Sequence, residues 1–416
     1  MIIESLLDLD VYKLYMMQIA TDYFPNQVVE YEFKNRTKLI ILKNFIDEKR
    51  LVSEINHVKT LSFKKEEIEY LRTQNTFSEK LLSYLSIVKL DNIDIDYSGR
   101  EIGITCKGKW CDVILWETLI LSIVNELYCE SKINNESYLL KTNSNTQMRM
   151  AELFGLRQLY SKISELVFRP DMKFMDFGTR RRFSRSWHEN VIEILSKNLD
   201  KSQFIGTSNV YLAMKYGLTP LGTNAHELYM FASGYFDEWT DQSLIDSQCK
   251  IWDLWWNTYG EKLSICLTDT FGTDAFFEHF GADRARKWKG FRHDSGDPFV
   301  FGDKLIKYLK DNGIDPMTKT IVFSDGLDIN MMLRLFIYFS GKINIVFGIG
   351  TNLTNDVGLK TLSIVMKMTK VWVNGEERKL VKLSDNTNKI TGDETAASRY
   401  KRAFKYNNTQ NSTLNS

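Results

Sequence analysis

Apolar residues recur at helical spacing over residues 6–24, and this predicts a helix. Residues 28–33 (VVEYEF) alternate apolar and polar, as a half-buried strand does. Helical spacing returns over residues 38–85, with acidic and basic residues interleaved on solvated faces. Residues 93–104 read as a strand pair broken at Ser98-Gly99, and residues 114–127 as a strongly apolar, buried helix.

From about Lys173 the texture changes. A short apolar run ends in a polar or glycine-bearing cluster, and this recurs: KFMDFGTRRR, SQFIGTSN, TPLGTNAHE, LSICLTDTFGTD, KGFRHDSGDP, TIVFSDGLD and INIVFGIGTN. The clusters are spaced at roughly thirty residues, the length of a strand-plus-helix unit. Helical patterns lie between most of them, such as residues 209–216 and 301–311. Strand, polar loop and helix in repetition predict a (β/α) barrel, which carries its chemistry in the loops after its strands. A doubly wound open sheet reads similarly, but it uses only the loops near its switch point. After Leu362 the pattern returns to strand-like pieces with Gly375 in a turn. The polar tail 407–416 (NNTQNSTLNS) predicts disorder.

Composition narrows the function classes. Lys and Arg total 54 against 53 Asp and Glu, so no bulk charge draws the chain to nucleic acid or membrane. Apolar residues make up 43% and no apolar run is long enough for a membrane span. The five cysteines (106, 111, 129, 249 and 266) include no C-x-x-C pair. That argues against a disulfide framework or zinc site and for a reducing compartment. The apolar stretch near the start is interrupted by Asp8, Asp10 and Lys13 and does not read as a signal peptide. A cytoplasmic location is the expectation.

The clusters hold the candidate chemistry. Arg180, Arg181, Arg182 and Arg185 fall within six residues, directly after a predicted strand and Gly178. A basic run is usually a solvated face. Its place at a strand end, and the paired N–H donors of arginine, point to phosphate binding by at least one of the four. Gly206-Thr207-Ser208-Asn209 opens a helical pattern; capping explains it fully, and a ligand on the helix start is the alternative. Of five histidines, His226 alone follows an apolar run and a Gly-Thr turn; His57 and His279 lie in helical patterns and His188 in a polar loop. An imidazole there can be a nucleophile or a proton carrier. The run Arg292-His293-Asp294-Ser295-Gly296-Asp297-Pro298 sets carboxylates at a spacing that suits a magnesium–phosphate complex, or simply a turn before a helix. The tight loops at Gly326, Gly350 and Thr351 suit a phosphate cradle. No Walker lysine spacing and no G-x-G-x-x-G occur. The residues alone thus predict an α/β enzyme acting on a phosphorylated small substrate, without identifying the reaction.

These motifs, in this order, resemble the nicotinate phosphoribosyltransferase family. The match begins at Leu7-Asp8-Leu9-Asp10-Val11-Tyr12-Lys13-Leu14 and Glu30-Tyr31-Glu32-Phe33-Lys34, and runs through the clusters to Lys382-Leu383-Ser384-Asp385. It leaves out parts of residues 38–90 and the tail. The resemblance implies an α/β protein of the type II phosphoribosyltransferase fold. An N-terminal α/β domain (1–130), completed by residues 362–406, would accompany an irregular α/β barrel (131–361). It implies nicotinic acid and phosphoribosyl pyrophosphate (PRPP) as substrates, ATP as co-substrate, Mg2+, and a homodimer with shared sites. By resemblance, His226 is phosphorylated by ATP, and Phe177 with the partner subunit's Tyr12 stacks on the pyridine ring. Arg180 and Arg292 bind anionic groups, and Asp294 lies near the ribose and the magnesium pyrophosphate. Gly326, Gly350 and Thr351 hold the 5-phosphate. His293 departs from the polar residue that relatives often carry there.

Three other readings compete. A nicotinamide phosphoribosyltransferase shares the fold, but such relatives carry aspartate where this chain has Ser208, which can donate to the carboxylate of nicotinic acid. A non-catalytic NAD-precursor sensor would lose the reactive residues, and this chain keeps His226 and Asp294. A sugar-phosphate aldolase or isomerase would need a Schiff-base lysine or an acid/base pair at strand ends, and the clusters offer no committed lysine apart from Lys289 beside Gly290.

Overall fold

The computed structural model describes residues 1–139 and 143–406; the tail expected to be disordered lies outside them. The chain forms two compact units. The first comprises Met1–Asn26, Tyr31–Gly222 and Ile349–Lys367; the second comprises Gln27–Glu30, Thr223–Gly348 and the chain from Met368. The contacts therefore divide the chain elsewhere than at residue 130, which falls inside one continuous helix, Trp116–Leu139. The strands β1 (Val28–Asn35) and β10 (Ile364–Val373) each contain residues of both units.

In the first unit, β2 (Ile93–Asp96) and β3 (Gly103–Lys109) pair antiparallel, from Ile93 opposite Cys106 to Asp96 opposite Gly103. This is the strand pair that the sequence predicts around Ser98-Gly99. The helical pattern over 38–85 forms three α-helices, Glu48–Thr60, Lys65–Thr73 and Glu79–Leu85. β4 (Phe174–Asp176) runs parallel to β5 (Phe204–Thr207), with the helix Arg185–Asn198 between them. Asn209 caps the helix Val210–Tyr216 through Leu212 N at 3.0 Å, so capping is the local role of that motif.

The second unit holds the strand-and-helix repeat. β6 (Ile265–Leu267), β7 (Gly290–His293), β8 (Thr320–Phe323) and β9 (Asn344–Ile349) follow one another as parallel neighbours. The helices Pro298–Asp311 and Ile329–Phe339 form the returns, and both start on aspartate caps, Asp297 and Asp328. The helix Pro298–Asp311 buries Phe301, Leu305, Ile306 and Leu309 on one face. At about 25 cal/mol per Å² of apolar surface, such stripes are what hold helices to a sheet. β10 and β11 (Glu376–Lys379) close an antiparallel hairpin over Asn374-Gly375, both at positive φ (53° and 83°). Asn-Gly tolerates that pair of conformations, which is why the turn predicted at Gly375 forms there.

The helix predicted over 6–24 begins only at Tyr12. Residues before it are drawn into tertiary pairing: Val11 N–H donates to Ser208 O at 2.8 Å, and Asp10 bridges antiparallel to Asn209. No described helix is long and apolar enough to cross a membrane.

Candidate active site

Two polar clusters form at strand ends, one in each unit. The first surrounds Arg180. The four-arginine run separates into different roles. Arg182 is fully buried and clamps Asp8 with two bonds of 2.6 and 2.8 Å. Asn209 Nδ2 completes that carboxylate at 2.7 Å. Breaking a buried pair of this kind costs about 3–5 kcal/mol, so Arg182 is structural. Arg181 donates to Ile364 O at 3.1 Å, and Arg185 reaches Glu4 at 2.6 Å. Arg180 is 36% exposed along its side chain, and a ligand can therefore reach it. Its Nε meets Asp10 Oδ2 at 3.0 Å, and its Nη1 lies 3.7 Å from Glu117 Oε1.

Tyr12 belongs to the same cluster. The Arg180 guanidinium sits 5.5 Å from the centre of its ring, at cation–π distance. The resemblance assigns Tyr12 to a partner subunit's site; here it meets Arg180 of its own chain. Ser208 Oγ–H donates to Asp10 Oδ1 at 2.6 Å. Burial raises Asp10, while Arg180 and the Ser208 hydroxyl draw it back toward the ionised form. Burial also raises Glu117, but Lys13, Lys367 and Arg180 outweigh it and bring that carboxyl to about 2. Phe177 is pinned by its N–H to Ile349 O at 2.8 Å. Gly350 lies directly against it: a Cβ there would stand 3.1 Å from Phe177 O. Thr351 opens the short helix Thr351–Thr354.

The second cluster surrounds His226, the first residue of the helix His226–Tyr235. Asn224 ties the loop before it to β6, accepting from Leu267 N at 3.0 Å. A carboxylate only accepts, so the 2.9 Å contact from His226 Nε2 to Asp294 Oδ2 places a proton on Nε2. Nδ1 then carries the lone pair and accepts from Thr270 Oγ1 at 3.0 Å. Asp269 Oδ1 lies 3.8 Å from Nε2. Burial and the positive charge of Lys382 together hold the imidazole down at about 4, against the pull of Asp269 and Asp294. His226 is therefore neutral at physiological pH, the state a nucleophile requires.

Asp294 is 29% exposed along its side chain, whereas Asp269 is 1% exposed; only the former presents a carboxylate to a ligand. Desolvation raises Asp294, but the bond from His226 and the charge of Arg292 outweigh it and hold the carboxyl well below its ordinary range. Ser324 Oγ–H donates to its Oδ1 at 3.1 Å, and Lys389 Nζ donates to its backbone oxygen at 3.0 Å. Arg292 is buried on β7. Gly326, in the loop after β8, has φ +59° and open space around it, so a ligand can approach its backbone. His293 points inward: it packs on Phe301 and Phe323, donates to Gly296 O at 3.2 Å, and burial lowers it. It is a core residue. His188, expected in a loop, lies in the helix Arg185–Asn198, buried against Asp176 at 2.7 Å.

Sequence reasoning missed the surroundings of His226. Ser295 donates to Asp269 at 2.5 Å, and Ser384 donates to Ser295 at 2.9 Å. Asp385 accepts from Thr273 N at 2.8 Å, and burial together with Asp269 pushes it up to about 7. Ser295 and Asp385 also line a cleft with Phe271 and Tyr406. Asp269 had a signal, since it lies in the LTDTFGTD cluster. Lys389 had none, because it follows the last motif.

Known proteins resemble this chain in sequence and fold. Residues 172–408 match the nicotinate phosphoribosyltransferase (NAPRTase) family, and residues 7–125 match its N-terminal domain. The nicotinate phosphoribosyltransferase of Burkholderia mallei (strain ATCC 23344) is 41% identical over 410 residues, covering 97% of this chain and 96% of that protein. That of Xylella fastidiosa (strain 9a5c) is 39% identical over 411 residues, covering 96% and 97%. Among solved structures, the enzyme from Porphyromonas gingivalis superposes with a TM-score of 0.85 at 30% identity, covering 97% of this chain and all of that one. The Vibrio cholerae enzyme gives 0.83 at 32%, covering 97% and 94%. The α/β architecture expected from the resemblance, an N-terminal domain with a barrel-like domain, is the one these neighbours share. With both family matches and relatives of about 40% identity over nearly its whole length, the chain belongs to the nicotinate phosphoribosyltransferase family.

Proposed function

We propose that this chain joins nicotinic acid to PRPP in NAD salvage, and that ATP hydrolysis drives the step through a phosphohistidine at His226. The observation that carries the ATP-coupled part is a buried, neutral imidazole whose Nε2–H is committed to Asp294. The remaining lone pair, on Nδ1, is the nucleophile for the γ-phosphorus of ATP, and ADP leaves as the P–O bond breaks. Phosphorylation adds nearly two negative charges and three acceptor oxygens beside Lys382, and so rebalances the cluster. Hydrolysis of the phosphohistidine afterwards returns the starting state.

In the transfer itself the pyridine nitrogen attacks C1 of PRPP, the C1–O bond breaks, and pyrophosphate leaves. Positive charge grows on the ribose, where the ionised Asp294 offers a fixed counter-charge. Arg180 takes the carboxylate of nicotinic acid, while Phe177 and the partner subunit's Tyr12 flank the ring and fix the angle of attack. Arg292 takes an anionic oxygen, and the backbone at Gly326, Gly350 and Thr351 takes the 5-phosphate. Asp294, the more exposed carboxylate, is an oxygen donor of the kind magnesium accepts, and ligand atoms of Asp269 and His226 lie within 4.8 Å of it. Magnesium held there would neutralise the leaving pyrophosphate. A homodimer and a cytoplasmic site of action belong to the same proposal. Exposed Met150, Leu153 and Phe154 give the helix Ser144–Val167 a face for a second copy, and the five cysteines are free thiols. Sedimentation under assay conditions tests the dimer.

Purified protein given nicotinic acid, PRPP and magnesium should form nicotinate mononucleotide, faster with ATP, and do little with nicotinamide. Product from nicotinamide alone would overturn the choice of substrate. The low value at His226 adds a pH prediction. The neutral nucleophile is present above about 4 and is lost as pH falls through it. Label transfer from γ-labelled ATP should thus stay level between about pH 6 and 8. A limb near the ordinary histidine value would mean that burial does not govern this imidazole.

A further inference from the structure

Within the second unit, the chain that follows β11 grips four successive residues after β6, from Thr270 to Thr273. Thr270 O accepts from Leu383 N at 2.9 Å and from Ser384 N at 3.3 Å. The Phe271 ring stacks on Phe404, with centroids 4.5 Å apart and planes 4° from parallel. Gly272, at φ +101°, lies against Tyr406: a Cβ there would stand 3.3 Å from Tyr406 Cδ2. Thr273 gives its N–H to Asp385 Oδ1 at 2.8 Å and its hydroxyl to Oδ2 at 2.5 Å. Ser384 holds a left-handed backbone, φ +65°, which a serine seldom adopts, and it is fully buried. Tyr406 OH donates to its carbonyl at 2.7 Å, and its own hydroxyl donates to Ser295 Oγ at 2.9 Å. Strain of this kind persists where the surroundings over-determine it, and it gathers at functional sites.

What this grip fixes is the Thr270 hydroxyl, which lies 3.0 Å from His226 Nδ1. Nε2 keeps its proton for Asp294, so Nδ1 holds the lone pair and Thr270 is the donor. A buried ring nitrogen needs a partner, and that need alone accounts for one hydroxyl. It does not account for a loop held at four residues in a row with a strained serine among the holders. Setting one donor against one lone pair does. The contact also fixes the face of the ring: flipped about its Cβ–Cγ bond, the imidazole would present Cδ2 to Thr270 and lose the bond.

We propose that Thr270 is the positioning residue for the His226 nucleophile, holding Nδ1 as the nitrogen that takes the phosphoryl group. The proposal rests on the phosphohistidine reading above. In the resting enzyme the Thr270 hydroxyl sets the orientation of the ring. As the γ-phosphorus of ATP arrives, Thr270 turns about χ1 to another staggered rotamer and frees the lone pair. The Nδ1–P bond forms, the bond from the γ-phosphorus to the bridging oxygen breaks, and ADP leaves with that electron pair. No proton changes atoms. Nε2–H stays with Asp294, whose charge meets the positive charge of the ring. The Thr270 proton stays on Oγ1, and its hydrogen bond passes from Nδ1 to a phosphoryl oxygen, one of three new acceptors.

The test compares Thr270→Val, which keeps the shape and removes the hydroxyl, with Thr270→Ser, which keeps the hydroxyl and removes the methyl. Single-turnover label transfer from γ-labelled ATP to the full chain gives the rate. Phosphorus–nitrogen NMR of wild-type protein with isotope-labelled histidine gives the nitrogen that carries the label, expected to be Nδ1. Thr270→Val is expected to slow label uptake by about tenfold or more, the effect of one lost buried hydrogen bond. Thr270→Ser is expected to stay within about threefold of wild type. Label on Nε2 of the wild type would overturn the proposal. So would two equally slow variants, which would make the methyl group the part that matters. Should Thr270→Val not fold, Thr270→Ala takes its place, and equal rates for it and Thr270→Ser overturn the proposal. Wild-type protein that takes no label would sink the phosphohistidine reading instead. Wild-type protein labelled on Nδ1, with Thr270→Val labelled equally fast, would sink this proposal alone.

Discussion

Asp294→Asn should lower kcat for nicotinate mononucleotide formation by about 10²–10³-fold, the usual cost of losing one preorganised charge-stabilising group. The substitution keeps the shape and one acceptor oxygen but removes the charge. Two consequences follow from one atom set. The ribose loses the counter-charge that meets its developing positive charge, and His226 Nε2–H loses the ionised acceptor that fixes its tautomer. Ser324 can still donate to the amide oxygen, so the loop after β7 should keep its place. The fold should therefore melt near the wild-type temperature, which separates a chemical effect from a structural one. The KM for PRPP should change far less than kcat, because Asp294 acts on charge that appears only during bond breaking. A variant with near-normal kcat would remove Asp294 from the chemistry and leave it as an orienting partner of His226.

The residues that place Asp294 were legible to very different degrees. The strand-and-loop rhythm after residue 173 was visible because buried parallel strands are short apolar runs ending in polar turns. What the rhythm does not tell is which polar residue of a turn faces the site. In the Asp294–Asp297 turn, one aspartate meets His226 and the other caps the following helix, and both functions ask for the same residue type. The arginine run shows the same degeneracy: Arg182 is a core clamp and Arg180 a partly exposed side chain beside Asp10, two residues apart. Long-range pairing defeated periodicity at the start of the chain. Apolar spacing over residues 6–11 is helical, yet the segment is captured by residues 208–211, and nothing local records that capture. The pairing of Asp10 with residues 208 and 209 was hidden for this reason. Residue spacing alone could not show that Ser208 gives its proton to Asp10.

His226→Ala should abolish label transfer from γ-labelled ATP, and the rates with and without ATP should become equal. The chain's other histidines cannot stand in for it. His188 is buried against Asp176, His293 is packed between Phe301 and Phe323, and His57 contacts Ile3 O at 3.0 Å. His279 lies near the end of the helix Thr273–Phe280. The alanine variant also leaves Asp269 and Asp294 without the imidazole beside them, so two nearby carboxylates face each other across the gap. Like charges raise one another's pKa values. The variant's remaining activity should accordingly fall away at a higher pH than that of the wild type, because Asp294 must stay ionised to work. Stability gives an independent check on the neutral imidazole. With a folded value of about 4, His226 takes up its proton more readily in the unfolded chain. It therefore lowers wild-type stability as pH falls from about 6.5 toward 4, by a few kcal/mol at most. His226→Ala should flatten that part of the stability profile, measured by denaturant unfolding across the window. ATP stimulation that survives in the variant would mean that the phosphoryl group is carried elsewhere, and the coupling would have to be assigned to another residue.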